Sequence, residues 1–164
     1  APVSIVSKAI VSGDVDVVRE KDRLVFAWTD RTTPDPSVTV AALADDGRVE
    51  PSRRIVEARG GAALISLASG AAGTALLYEA PSQKAAGDAR RVHGALIAPD
   101  LTLGGRTIAV EVMGRATPEL VATEEGFAIL APQRDCEPGS PRCLDASRRK
   151  LSRTLSASRP HLPD

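Results

Sequence analysis

A chain of 164 residues is long enough for one domain with a real core. Its 21 Lys+Arg balance its 21 Asp+Glu, so no net field draws it to nucleic acid or to an anionic membrane surface. The apolar fraction is dominated by Ala and Val, the aromatics are Phe26, Trp28, Tyr78 and Phe127, and the 13 Gly and 12 Pro are scattered, as many short strands joined by turns require.

The chain opens Ala1-Pro2-Val3-Ser4, without Met and without a signal peptide, and reads as a processed or truncated piece. Ser4 to Ile10 reads as a lone strand before a break at Gly13. From Asp14 to Arg19 the pattern alternates, Val15 and Val17 against Asp14 and Asp16. Glu20-Lys21-Asp22 makes a charged turn, and Leu24 to Trp28 follows as an apolar strand of the kind buried on both faces. Pro34 and Pro36 make Asp30 to Ser37 a loop. Val38 to Leu43 is β-rich, Asp45-Asp46-Gly47 predicts a tight hairpin of the primed type, and Arg54-Ile55-Val56 closes a four-stranded unit.

The plan then repeats. Ala62 to Leu67 and Thr74 to Tyr78 are strands around a turn at Ser69 to Gly73. The whole stretch Gly60 to Tyr78 lacks charge and approaches the ~20 residues of a membrane helix. Ser66, Ser69, Gly70, Gly73 and Thr74 interrupt it, so two strands and a turn are expected, and no membrane span. Pro81 to Arg90 is a polar loop, Val92 to Ile97 a third strand, Pro99-Asp100 and Gly104-Gly105 the turn, and Thr107 to Val112 a fourth. A third unit begins with Glu119 to Ala122, turns at Glu124-Glu125-Gly126 and gives Phe127 to Leu130.

Trp28, Tyr78 and Leu130 take matching places about 50 residues apart, a repeat period. The fold expected is all-β, with antiparallel four-stranded β-propeller-like blades forming a partial propeller. A twisted β-sandwich is the alternative. Residues 1–145 carry the repeats (about 14–58, 61–113, and 117–145 and on), and 146–164 form a polar, basic strand and flexible tail. Arg148, Arg149, Lys150, Arg153 and Arg159 in that tail lack the aromatic platforms that grip single-stranded nucleic acid. A closed propeller needs at least about four blades. The chain is therefore expected either to be part of a longer protein or to complete a ring by self-association.

Asp22 to Asp30, Val38 to Leu43 and the turn Ala44-Asp45-Asp46-Gly47-Arg48-Val49 resemble repeats of uncharacterised secreted bacterial β-propeller-like proteins and lipoproteins, as does Pro118 to Pro132 with a Cys soon after. The resemblance covers roughly residues 14–145. It implies that fold and a secreted or cell-envelope location, and it brings no activity. Ala27-Trp28-Thr29-Asp30 is also similar to the Tyr-Trp-Thr-Asp tetrad of lipoprotein-receptor propellers. The tetrad does not recur here, so no binding residues are carried over.

Cys136 and Cys143 bracket a turn-rich loop. They read as a disulfide in an oxidising compartment, with free thiols as the alternative. A zinc site would need three or four ligands, and only His93 and His161 are available, neither at ligand spacing. No cofactor is implied. Asp30, Arg31 and Asp35 share one loop and are the residues nominated for binding, with turn capping as their plainer role. Trp28 is expected to fill the core, and His93 to sit at a solvent edge or to be hydrogen-bonded.

The reading that follows is a non-enzymatic, secreted or envelope module that presents loops to a protein or a glycan. One rival is part of a propeller hydrolase or lyase, with Asp14, Asp16 and Glu119 as its carboxylates and further blades needed to complete the site. The other is a structural piece without activity of its own.

Overall fold

The computed structural model describes residues 11–80, 89–113 and 117–130, and every regular element in them is a strand. Sheet 1 comprises β1 (Val11–Glu20), β2 (Arg23–Asp30), β3 (Ser37–Ala44) and β4 (Val49–Glu57). Sheet 2 comprises β5 (Ala63–Gly70), β6 (Gly73–Glu79), β7 (Ala89–Ile97) and β8 (Leu103–Met113). Sheet 3 is the hairpin of β9 (Glu119–Ala122) and β10 (Phe127–Leu130). Each sheet is an antiparallel meander with its strands in chain order, and none of these sheets closes on itself.

The sheets stack in sequence. β5 runs against β1 on one side and β9 on the other. The front of sheet 1, with Val25, Ala27, Val38, Val40 and Ala42, packs on the back of sheet 2, with Leu64, Leu67, Leu76 and Tyr78. The front of sheet 2, with Ala75, Leu77 and Val92, packs on Leu120, Phe127 and Ile129 of sheet 3. Sheet 2 is thus covered on both sides, which explains why Ala75, Leu76 and Leu77 are all fully buried and why β6 shows no alternation. Polar side chains also join sheets 1 and 2, Arg23 through the Pro99 carbonyl and two others through backbone N–H groups of β5. The Leu67 N–H donates to Asp16 Oδ2 at 2.7 Å, and the Leu64 N–H to Thr29 Oγ1 at 3.0 Å.

In sheets 1 and 3 the strands fall where the sequence places them, with four differences. β1 runs through Gly13, whose expected break becomes a register irregularity between Val11 and Val15. Ser4 to Ile10 lies outside the described residues. β4 is longer than Arg54-Ile55-Val56 and accommodates Pro51, because it is an edge strand whose outer N–H groups need no partner. The hairpin at Asp45-Asp46-Gly47 is not a two-residue primed turn. Only Gly47 has positive φ, the Gly47 N–H donates to Ala44 O at 2.9 Å, and the Ala44 N–H donates to Arg48 O at 2.9 Å. That is an ordinary turn followed by a left-handed glycine.

The fourth difference is in β10. Its back-facing residues are Phe127 and Ile129, so the match to Trp28 and Tyr78 falls on Ile129 rather than Leu130. The connection between Ala122 and Phe127 is two residues longer than those between Glu20 and Arg23 or Gly70 and Gly73. That extra length shifts the alignment of unit three.

Sheet 2 repeats the Gly47 turn at Ala98-Pro99-Asp100-Leu101-Thr102, with the same two hydrogen bonds, at 2.8 and 2.9 Å. Leu101 occupies the left-handed position, at φ 63, and Gly104-Gly105 moves into β8. A left-handed leucine costs about 1–2 kcal/mol, but Leu101 is 1% exposed in the core between sheets 1 and 2. Burying a leucine contributes about 1.5–3 kcal/mol, which offsets the strain. Both L101G and L101A lose the burial, but only L101A keeps the strain. Urea titration should therefore find L101G more stable than L101A by about 1 kcal/mol, the reverse of the usual order in a strand. Equal stabilities would remove the backbone strain from this account.

Candidate functional site

The β2–β3 loop, residues 31–36, is fastened at several points. Asp30 Oδ1 accepts from the Thr32 N–H at 2.9 Å, and Thr33 Oγ1 donates to Asp35 O at 2.7 Å. The loop is also tied to the segment that links sheets 1 and 2. The Gly60 N–H donates to Asp35 Oδ1 at 3.2 Å, and the Ala62 N–H to Pro36 O at 2.6 Å. Asp30 therefore caps local backbone, the plainer of the two roles expected of it, while Asp35 holds the backbone of a distant segment at Gly60. Arg31 is exposed.

Pairing across the sheet sets two rows of side chains on the back of sheet 1. Asp30, Ser37 and Glu57 stand in register, as do Trp28, Thr39 and Arg54. A register shift places Arg54 opposite Thr39 while Val56 stays opposite Val38, so Ile55 is the bulged residue. The bulge brings Arg54 onto the same face as Glu57. Its guanidinium lies 3.6 Å from Asp30 Oδ2 and 3.3 Å from Glu57 Oε1.

Beside these rows opens a cleft of about 310 Å³, lined by Thr33, Asp35, Ser37, Arg54, Glu57, Ala58 and Arg59. A second depression of about 360 Å³, lined by Arg53, Arg54, Ile55, Thr102 and Leu103, lies where β4 meets the β7–β8 turn. Partial burial raises the pKa of Asp30, but the Thr32 backbone and side-chain hydrogen bonds and the Arg54 charge outweigh it, and the carboxyl ends below its ordinary value of 3.8. Asp30 is thus ionised throughout the neutral range.

Of the residues nominated from sequence, the structure brings Asp30 and Asp35 to the cleft margin and leaves Arg31 outside its lining. The sequence reading missed Ser37, Arg54, Glu57 and Arg59. Ser37, Arg54 and Glu57 are placed by cross-strand register, Arg54 through the Ile55 bulge, and Arg59 follows just beyond β4. Asp16 is engaged with the Leu67 backbone, while Glu119 is exposed on sheet 3. Cys136, Cys143 and His161 lie outside the described residues. Among the described residues, no group of three or more His, Cys, Asp or Glu could hold a metal ion, and no helix is long and apolar enough to cross a membrane.

His93 lies in β7, opposite Tyr78 of β6. It is half-buried and stacks on Tyr78, with ring centroids 5.1 Å apart and planes 14° from parallel. Burial first, then the Arg91 charge, holds its imidazole below the ordinary 6.5. The unfolded chain therefore takes up this proton at higher pH than the folded one. The stability that depends on neutral His93 is complete above pH 6.5 and is lost as the pH falls towards the folded value. Urea midpoints should drop between about pH 7 and 5 in the wild type and drop less in H93F. Identical slopes would assign the effect to other groups.

Trp28 is buried, as expected of a core residue, at 3% exposure, yet it belongs to neither of the two apolar clusters. Comparison with known protein families, curated proteins and solved structures finds no match for this chain.

Proposed function

We propose that this chain is a non-enzymatic β-propeller-like module, secreted or held in the bacterial cell envelope, which presents the β2–β3 loop and its cleft to a protein or glycan partner. The stacking supports the propeller-like part of the reading. Three meander sheets follow in chain order, with the first strand of each next to the first strand of the one before. The observation that carries the binding reading is the loop itself. It is fastened at both ends to backbone that a rigid scaffold positions, and it borders an open polar cleft. Preorganisation of this kind lowers the entropy lost on binding.

The test is an array of glycans and envelope proteins probed with wild type and with R31A/R59A, neither of which fastens the loop. Binding that falls about tenfold or more in the variant, with an unchanged circular dichroism spectrum, supports the reading. Binding that survives, or turnover of any arrayed compound, overturns it.

Self-association is the second part of the proposal, and a register comparison favours it. Val15 pairs with Trp28 and Val17 with Phe26, as Leu64 pairs with Tyr78 and Leu67 with Leu76. Leu64 and Leu67 are 2% and 6% exposed beneath sheet 1, whereas Val15 and Val17 are 54% and 48% exposed. A second copy placed against β1 would cover them, and light scattering on wild type and V15T/V17T decides. A discrete oligomer lost in the variant is expected, and a monomeric wild type rules the idea out.

A further inference from the structure

Among the described residues, five buried side-chain polar atoms have no hydrogen-bond partner. Three of them, Trp28 Nε1, Ser37 Oγ and Thr39 Oγ1, lie on the back face of sheet 1. Trp28 and Thr39 are direct cross-strand partners, and Ser37 is two residues along β3 from Thr39, a separation of about 7 Å. Ser37 also lines the cleft and is 1% exposed. The other two atoms belong to Ser66 and Thr74 of sheet 2. Buried polar groups are almost always satisfied, and each that is not carries a desolvation penalty. Three in two adjacent rows, one of them in the wall of an open cleft, form a pattern that folding alone does not reward.

The lining selects the chemistry that would satisfy Ser37, the one of the three that borders the cleft. Asp35 and Glu57 accept hydrogen bonds, Arg54 and Arg59 donate them, and the Thr33 and Ser37 hydroxyls do both. The two carboxylates and two guanidinium groups cancel. An anion would have to sit against Asp35 and Glu57, and a cation against Arg54 and Arg59, and like-charge contact of this kind is costly. A peptide side chain would need an apolar pocket, and Ala58 is the one apolar lining residue. A neutral polyol fits, because each of its hydroxyls donates and accepts. A volume of about 310 Å³ is at the small end of ligand sites, the scale of one or two sugar rings.

We infer that this cleft binds the end of a neutral saccharide, with Ser37 making the innermost contact of its wall; the inference rests on the binding-module reading above. The experiment titrates the protein with N-acetylglucosamine, its disaccharide, maltose and cellobiose, with inorganic phosphate and an uncharged pentapeptide as comparators. It reads affinity by calorimetry and follows the single indole N–H resonance by NMR. At least one saccharide is expected to bind and move the Trp28 resonance. S37A should weaken that binding about tenfold or more, whereas T39V, which lies outside the lining, should leave it within a few-fold of wild type. Both variants should also unfold about 2–4 °C higher than wild type, since each removes a buried unpaired hydroxyl.

Binding of phosphate or peptide alone, binding unaffected by S37A, or no saccharide binding at all overturns the inference. The two readings can fail separately. A partner lost in R31A/R59A without any saccharide response leaves the binding module standing and removes the saccharide. Silence in both experiments removes both.

Discussion

Replacing Gly61 by alanine is expected to lower stability by about 3 kcal/mol, and to weaken any binding that depends on the β2–β3 loop. Two costs combine. Gly61 has φ +94, which side chains rarely adopt. A Cβ there would also lie 2.6 Å from Pro36 Cδ and 3.2 Å from Pro36 N. Neither atom can give way easily, since Pro36 is a rigid ring whose carbonyl accepts the Ala62 N–H at 2.6 Å. The methyl would push the loop away from the segment that fastens it. Gly47 supplies the control. It has φ +83 but nothing within 4 Å of a built Cβ, so G47A should cost only about 1 kcal/mol. Equal losses in the two variants would mean that backbone conformation, and not contact with Pro36, makes Gly61 necessary.

Arg23→Met should cost about 3 kcal/mol as well, by a different route. The Arg23 side chain is 12% exposed. Its Nε and NH2 groups donate to Glu20 Oε2 at 2.8 and 2.6 Å, and NH1 donates to Glu50 Oε2 at 3.2 Å and to Pro99 O at 2.8 Å. One side chain therefore gathers the end of β1, the edge strand β4 and the β7–β8 turn of the next sheet. Its removal leaves two carboxylates, 15% and 23% exposed, facing each other without a cation. Like charges left in a partly dry site are worse than no charges, so E20Q/E50Q in the Arg23→Met background should recover part of the loss. Arg19 is the contrast. Its pair with Asp45 is 2.6 Å long, but both side chains are half exposed, and R19A should change stability by less than about 1 kcal/mol. Urea titrations of the four proteins decide. A loss in Arg23→Met no greater than that in R19A would show that the network does not bind the sheets together.

The positions of the strands were legible because they rest on local chemistry. Leu24 to Trp28 and Thr74 to Tyr78 are apolar runs because their sheets are packed closely, and Pro34 with Pro36 forces the loop between β2 and β3. The site was half legible for the same reason. Asp30 and Asp35 could be picked out as loop carboxylates, but Ser37, Arg54 and Glu57 join them only through pairing across the sheet, and Arg59 follows just beyond β4. One bulged residue, Ile55, decides which side Arg54 faces, and no periodicity announces a bulge. Leu101 shows the same limit in the backbone. Glycines mark left-handed turns in sequence, so Gly104-Gly105 drew the turn towards itself, while burial held a leucine in that conformation three residues earlier. Local propensity was overruled there by a tertiary contact.

The stacking order has a kinetic consequence. Among the described residues, each sheet is a contiguous stretch of chain whose main contacts are with its sequence neighbours in the stack, so opening spreads from the ends as it does in a linear array. Amide protons of β6, covered on both faces, should exchange with solvent most slowly. Those of the short β9–β10 hairpin should exchange through a separate, easier opening that leaves sheets 1 and 2 joined.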